Sequence, residues 1–162
     1  MSLLLTFTCL GVGIISLCFT STTSPLFSKK IALFFSIIAF YISLFLWIFF
    51  EKSNLFFQWI IYKHWLSFLS INFIIGVDGI SLFFILLTTF LTPICILAGW
   101  KNIGFNVKEF LILFLFLELF LLLIFSVLDL VLFYIFFESV LIPMFLIVGI
   151  WGSRERKIKA SY

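Results

Sequence analysis

Residues 129–159 read DLVLFYIFFESVLIPMFLIVGIWGSRERKIK, a long apolar run followed by a basic tail. The 21 residues from Leu130 to Ile150 are long enough to cross the core of a bilayer as one helix. One of them, Glu138, is ionisable, and a carboxylate near the bilayer centre costs roughly 2.5–3.5 kcal/mol on insertion scales. Because acids inside membrane segments mark ion pathways or proton relays in most cases, Glu138 is the first candidate for a functional residue.

The residues around Glu138 predict a small polar site within an apolar helix. Pro143 has no N–H to donate to the carbonyl of Ser139, four residues earlier, so we expect a kink there. The freed carbonyl and the Ser139 hydroxyl lie one residue from the carboxylate and could hold water or a proton. The alternative is that Glu138 only hydrogen-bonds a neighbouring helix for packing.

The composition of the whole chain excludes an ordinary soluble domain. Of its 162 residues, 65% are hydrophobic and only 10% are charged. The basic residues behind the net charge of +3 lie between apolar runs, which argues against a nucleic-acid partner. The three cysteines, at positions 9, 18 and 95, lack metal-ligand spacing, and we expect small buried hydrophobes there. The sequence has no Gly-rich nucleotide loop, Cys cluster or catalytic triad.

Five apolar runs predict an all-α membrane protein that forms a single membrane unit over residues 1–162. The predicted transmembrane helices lie at about 3–20, 31–50, 79–99, 107–125 and 130–150. The first run lacks the preceding basic residues of a signal peptide, so we interpret it as a retained helix. Ser21–Lys30 reads as a polar connection in which Pro25 prevents a continuous helix.

The longest connection, residues 51–78, is predicted to lie at the membrane interface. Trp59, Tyr62 and Trp65 recur every three residues beside Lys63 and His64, as in an interfacial helix or turn. The polar residues that follow also allow a short hairpin. Since no second metal ligand is near the single histidine, we expect it to be a solvated interfacial residue.

Two aspartates are predicted to cap helices, and a second proline is predicted to interrupt one. Asp78 and Asp129 precede apolar runs and are predicted to cap the helices by accepting backbone N–H groups. Pro93 would leave the Thr89 carbonyl without its helical partner, beside two further threonine hydroxyls. Such a break could serve ion movement, or the hydroxyls could repair it without any functional purpose.

A second acid, Glu118, lies in the middle of the fourth predicted span. The connection Ser126–Asp129 is so short that the fourth and fifth spans must form an antiparallel hairpin. Glu118 and Glu138 lie 11 and 8 residues into their spans, at depths of roughly 16 and 12 Å from opposite sides. These depths sum to nearly the ~30 Å core, so we expect a like-charged pair in which one pKa is raised. Glu118 is either a relay member or a packing group.

The distribution of basic residues predicts the orientation. With the N-terminus outside, eight basic residues lie inside and two, Lys52 and Lys63, lie outside. The positive-inside rule favours this arrangement. The eight inner residues are Lys29, Lys30, Lys101, Lys108, Arg154, Arg156, Lys157 and Lys159.

Two long motifs carry a resemblance to a known family. FYIFFESVLIPM followed by WGSRERKIKASY, and GVDGISLFFILLTTFLTPICILAGW at residues 76–100, resemble the fifth and third helices of the subunit 4 family of mitochondrial NADH:ubiquinone oxidoreductase (complex I). The resemblance extends over most of the chain from about Gly76 and is weak before it. It implies the N-terminal part of an antiporter-like subunit with about fourteen spans.

The resemblance also implies a function and a location. Glu138 corresponds to the fifth-helix acid that pairs with a lysine on a broken seventh helix, and Glu118 corresponds to a less sharply defined second acid. This chain would bind no cofactor, because NADH, FMN, iron–sulfur clusters and ubiquinone would be held by other subunits. It would lie in the mitochondrial inner membrane with its N-terminus in the intermembrane space and its C-terminus in the matrix.

The expected partners are lipids, neighbouring membrane-arm subunits and the remaining helices of the same subunit. Apart from Lys108 at the very start of the fourth, no lysine lies within a predicted span, and the sequence stops in the loop after the fifth. We therefore expect a split subunit whose second chain supplies the lysine, with a truncated product as the alternative. Two other functions stay open: a piece of a free-standing cation/proton antiporter, and a non-transporting membrane scaffold.

Overall fold

The computed structural model describes residues 2–20, 25–51, 56–66 and 71–152. Within these ranges the chain forms five helices and one two-stranded sheet. In chain order they are α1 (Ser2–Phe19), α2 (Pro25–Ile48), β1 (Gln58–Leu66), β2 (Ile71–Val77), α3 (Gly79–Ala98), α4 (Val107–Ser126) and α5 (Leu130–Trp151).

Four of the described helices, α2 to α5, are long and apolar enough to cross a membrane. The apolar part of α1, Leu3–Phe19, is shorter and lies at the lower limit of about 17 residues for a spanning helix. The apolar runs explain these helices, because a bilayer leaves backbone groups no partner except within the helix itself.

The start of α2 differs from the sequence prediction. The helix begins at Pro25 rather than near Ile31, so residues 25–30 belong to the helix and not to the polar connection. Proline suits a first helical position because its missing N–H would be unpaired there in any case. The other four helices begin and end within one residue of the predicted runs.

Strands β1 and β2 pair in antiparallel register, so of the predicted alternatives for this connection the short hairpin is confirmed and the interfacial helix is not. Tyr62 lies opposite Ile74, and Lys63 lies opposite Phe73. The connection between α4 and α5 pairs with the edge of β2 that does not face β1. There the Leu128 N–H donates to the Ile74 carbonyl at 2.9 Å. The hairpin therefore lies at the same end of the bundle as the α4–α5 connection. The side chain of His64 lies outside the described part of the chain.

Helix α4 lies at the centre of the bundle, in contact with the other four helices. Its buried residues have the spacing of one side of a helix: Val107, Phe110, Leu111, Leu115, Glu118, Leu122 and Ser126. Small residues dominate the buried side of α2, and a Cβ added at Gly13 of α1 would meet the Phe35 Cβ at 2.9 Å. Small residues allow such close helix approach in a membrane protein.

Two lysines hold the opposite end of the bundle together. Lys29 Nζ donates to the carbonyls of Trp100 and Ile103, at 2.6 and 3.2 Å. Lys108 Nζ donates to the carbonyls of Cys18 and Thr20, at 2.9 and 2.8 Å. Each lysine thus donates hydrogen bonds to carbonyls at or just beyond the C-terminus of another helix. The last turn of a helix leaves its carbonyls without backbone partners.

The predicted caps are confirmed. An Asp78 carboxylate oxygen accepts the Gly79 N–H at 2.7 Å and caps α3. An Asp129 carboxylate oxygen accepts the N–H groups of Val131 and Leu132, at 2.9 and 3.3 Å, and caps α5.

The break at Pro93 is lined by hydroxyls, and these are engaged. Thr92 Oγ1 donates to the Thr88 carbonyl at 2.9 Å, and the buried Thr89 hydroxyl lies 2.8 Å from the Ser43 hydroxyl of α2. The hydroxyls therefore join α3 to α2, which supports the structural interpretation of this break.

Candidate functional site

Glu138 lies on the outer side of α5, which has only Leu132 and Pro143 as buried residues. The carboxylate borders an open groove of about 720 Å³ on that side. The other residues that line the groove are apolar except for two hydroxyl groups: Tyr134, Ile135, Ser139, Leu141, Ile142, Phe145 and Leu146. An exposed carboxylate in an apolar groove would face hydrocarbon if lipid covered it, which is unfavourable.

Tyr134, one turn before Glu138 on α5, lines the same groove as the carboxylate. Sequence reasoning missed this tyrosine, although its spacing of four residues from Glu138 could have identified it. Ser139 Oγ donates to the Ile135 carbonyl at 2.7 Å. Helix α5 continues through Pro143, so the Ser139 carbonyl has lost its usual i+4 N–H donor within an unbroken helix. The site therefore combines a carboxylate, two hydroxyls and a carbonyl acceptor.

Glu118, unlike Glu138, is completely buried. Its side chain is 0% exposed, and neither carboxylate oxygen has a hydrogen-bond partner among the described residues. It is one of the buried residues along α4, with Leu115 and Leu122 one turn away on either side. Buried polar groups in proteins are nearly always hydrogen-bonded, so this carboxyl is an exception that needs an explanation.

The structure brings the two acids to one depth but not into one site. Helices α4 and α5 form the expected hairpin, and each acid lies eight residues, about 12 Å, from the connection between them. Glu118 is buried in the bundle, however, while Glu138 lies on the exposed surface of α5. The predicted like-charged pair is therefore not formed, because depth along a helix does not determine the side to which a residue points.

The cysteine prediction holds only in part. All three cysteines are free, but Cys18 and Cys95 are exposed and Cys9 is half-buried. Within the described ranges, no cluster of three or more His, Cys, Asp or Glu residues could hold a metal ion. The basic tail Arg154–Lys159 lies outside the described residues.

Known proteins match this chain over most of its length. It is 51% identical over 154 residues to NADH-ubiquinone oxidoreductase chain 4 of Arabidopsis thaliana, covering 95% of this chain and 31% of that protein. The protein of the same name from Marchantia polymorpha is 56% identical, over 83% of this chain and 27% of its own length. That of Metridium senile is 47% identical, over 98% of this chain and 33% of its own length.

A family model and a solved structure agree with these matches. Residues 127–162 match the family described as NADH:quinone oxidoreductase/Mrp antiporter, transmembrane. A chain of respiratory complex I from Thermus thermophilus with bound NADH superposes with a TM-score of 0.77 at 23% identity, over 100% of this chain and 31% of that one. This likeness shows the fold. The chain spans about a third of the length of its curated relatives, and by its ~50% identity to them it belongs to the family of NADH-ubiquinone oxidoreductase chain 4.

Proposed function

We propose that this chain is the N-terminal portion of a proton-translocating membrane-arm subunit of respiratory complex I. In that complex it would couple electron transfer from NADH to ubiquinone to proton pumping. The family and the four long apolar helices support a multi-pass membrane subunit. The observation that carries the function is Glu138, a carboxylate in the middle of an apolar helix that opens into a groove with two hydroxyls.

Glu138 would exchange a proton with water and be held by a lysine from the remaining helices of the subunit. While that lysine is charged, the carboxylate is favoured in its ionised form. When the lysine loses its proton or moves away, the apolar groove favours the protonated acid. Each such cycle would shift charge within the membrane, and electron transfer elsewhere in the complex would bias its direction.

The proposed position in the membrane follows from the family. The chain would cross the mitochondrial inner membrane five times, with α1 as the first and shortest span. The fourteen-helix architecture would be completed by the part of the subunit that the relatives have beyond the shared third. Redox cofactors would be bound by other subunits, because this sequence offers no nucleotide loop or Cys cluster.

Glu138→Gln tests the function directly. Glutamine keeps the size and the hydrogen bonds of the side chain but cannot titrate, so we expect an assembled complex with strongly reduced NADH-driven proton pumping and coupled quinone reduction. Glu118→Gln should have a milder effect. Pumping is measured in proteoliposomes, per NADH:ferricyanide activity to correct for the amount of complex. An assembled Glu138→Gln complex that pumps at the normal rate would reduce Glu138 to a packing residue.

One observation favours a second candidate, a free-standing cation/proton antiporter. The family description that matches residues 127–162 names Mrp antiporters beside the oxidoreductase. Purification distinguishes the two functions, since only a complex I subunit would copurify with NADH dehydrogenase activity. Loss of all association with that activity under mild detergent would support the antiporter.

A further inference from the structure

The open groove on α5 contains a hydrogen-bond donor that the proposed function does not use, the phenol of Tyr134. Tyr134 and Glu138 both line this groove, so the two side chains share one cavity. Ser139 is the other lining residue with a hydroxyl, but that hydroxyl donates its proton to the Ile135 carbonyl at 2.7 Å. Among the described residues that line the groove, Tyr134 is therefore the side-chain donor left for the carboxylate.

The helical spacing places the phenol and the carboxylate beside each other. Residues i and i+4 of a helix are neighbours, with Cβ atoms about 5–6 Å apart. Helix α5 is continuous from Leu130 to Trp151, so this spacing applies to Tyr134 and Glu138. Side chains on a helix lean toward its N-terminus, which directs the Glu138 carboxylate back over the turn that carries Tyr134. The two groups can therefore meet without movement of the backbone.

No charged side chain from another described element lines the groove. All of its lining residues belong to α5, between Tyr134 and Leu146. Helix α4 and strand β2 pack against α5, but Glu118 of α4 is fully buried in the bundle and is not a lining residue. Within the described structure, the Glu138 carboxylate therefore depends on Tyr134 until the rest of the subunit brings its lysine.

A phenol suits an acid that alternates between two protonation states. Its hydroxyl can donate to an ionised carboxylate and can accept the O–H of a protonated one, whereas a lysine ammonium can only donate. The hydrogen bond to the ionised form is the stronger of the two, because its acceptor is charged. Tyr134 is 61% exposed, and Glu138 is exposed as well. Once other helices cover the groove, both groups need partners, and each can serve as the partner of the other.

We propose that Tyr134 is a positioning residue for Glu138, whose phenol donates to the ionised carboxylate and holds it in the groove until the lysine pairs with it. When Glu138 takes up a proton, the phenol turns about its C–O bond and accepts the O–H of the acid. The proposal rests on the proposed function, in which Glu138 exchanges a proton. The phenol limits the preference of the groove for the protonated acid, which allows the proton to leave again.

Tyr134→Phe removes only the hydroxyl and tests this role in the assembled complex. The matched control is Tyr41→Phe, the same change at a tyrosine of α2 that is 59% exposed. The first readout is labelling of Glu138 by dicyclohexylcarbodiimide, which adds to protonated carboxyls, at an alkaline pH where the unchanged complex is labelled slowly. Mass spectrometry identifies the modified peptide. We expect about three- to tenfold faster labelling in Tyr134→Phe, the effect of one lost hydrogen bond, and no change in Tyr41→Phe.

The second readout is NADH-driven proton pumping, which should fall about three- to tenfold in Tyr134→Phe because the acid releases its proton more slowly. Equal labelling rates in Tyr134→Phe and the unchanged complex would overturn the assignment, since a loss of pumping alone would then come from altered packing. Faster labelling with normal pumping would overturn the positioning role as well. Normal pumping by Glu138→Gln would instead refute the proposed function, and the labelling rates would still decide whether the phenol bonds Glu138.

Discussion

Among single residues, the two glutamates inside apolar helices differ in exposure. Glu138 borders an open groove that also holds the Tyr134 side chain, whereas Glu118 is fully buried and its carboxylate has no hydrogen-bond partner in the described structure. An exposed acid can meet a cation from another part of the subunit, whereas a buried one depends on donors within this bundle. This difference explains why we assign Glu138 the larger share of proton transfer.

The isolation of Glu118 predicts a gain in stability when it is replaced by an apolar residue. Glu118→Leu removes an unpaired buried carboxyl, which costs about 1–3 kcal/mol, and keeps a similar volume in the row of Leu115 and Leu122. We expect an assembled complex with an equal or higher temperature of thermal inactivation and with reduced pumping. The measurement is residual NADH:quinone activity after heating.

Leu122→Glu is the matched control for that experiment. It places a second carboxyl one turn further along the same buried row, where the native side chain is 1% exposed. This variant should lower the amount of assembled complex. If Glu118→Leu destabilised the complex as much as Leu122→Glu does, Glu118 would have a structural partner that our interpretation lacks.

At the scale of elements, the lysine contacts at one end of the bundle connect helices that are distant in sequence. Lys29 donates to carbonyls 71 and 74 residues later, and Lys108 donates to carbonyls 90 and 88 residues earlier, at the end of α1. Trp151 Nε1 of α5 donates to the Phe105 carbonyl at 3.0 Å, in the same connection that Lys29 binds. The connection between α3 and α4 therefore fixes the ends of α2 and α5 relative to each other.

Removal of the Lys29 amine should loosen this end of the bundle. Lys29→Met keeps the aliphatic stem but leaves the carbonyls of Trp100 and Ile103 without the amine, at a cost of about 1.5–3 kcal/mol. We expect a lower midpoint of thermal unfolding for Lys29→Met than for Lys30→Met, which changes an exposed neighbour. Equal midpoints would show that water replaces the amine at no cost.

At the scale of the whole molecule, the bundle is unevenly covered. Helix α4 is surrounded by the other helices, whereas α5 exposes most of its length, including the groove at Glu138. We expect the remaining helices of the subunit to pack against α5 and to bring the lysine that pairs with Glu138. This packing would remove the polar site from lipid.

Photo-crosslinking from the groove tests that packing. Ile142→Cys, at a groove residue that is 64% exposed, is labelled with a benzophenone maleimide in the assembled complex and irradiated. We expect crosslinks to a helix of the remaining subunit that carries an intramembrane lysine. Mass spectrometry identifies the crosslinked peptide and shows whether it belongs to a separate chain. Crosslinks to lipid alone would contradict the expected packing.

The orientation of the molecule is predicted by its basic residues. The structure places Lys29 and Lys108 at one end of the bundle and the hairpin with Lys63 at the other. We expect the lysine-rich end and the tail Arg154–Lys159 to face the matrix. A protease added to intact mitoplasts should cleave the hairpin side only. Cleavage of the tail from the intermembrane side would reverse the topology.

The positions of the helices could be predicted from local features of the sequence. The apolar runs, the capping residues Asp78 and Asp129 and the short connection before Leu130 are local signals, and the helices begin and end close to the predicted positions. Pro25 was a local signal too, but for a first helical residue rather than for the end of a connection. The sequence also singled out both acids, because a charge is rare inside an apolar run.

The side of the helix on which each acid lies, and whether it is buried, could be known only from the packing of the helices. Helix α5 is hydrophobic on all sides, so its sequence carries no periodic signal for a buried side, and Glu138 could not be assigned to the outer surface in advance. The contacts of Cys9 and Lys29 depend on helices far away in sequence. Side-chain surroundings are a property of packing between helices, whereas the existence of each helix is a property of its own residues.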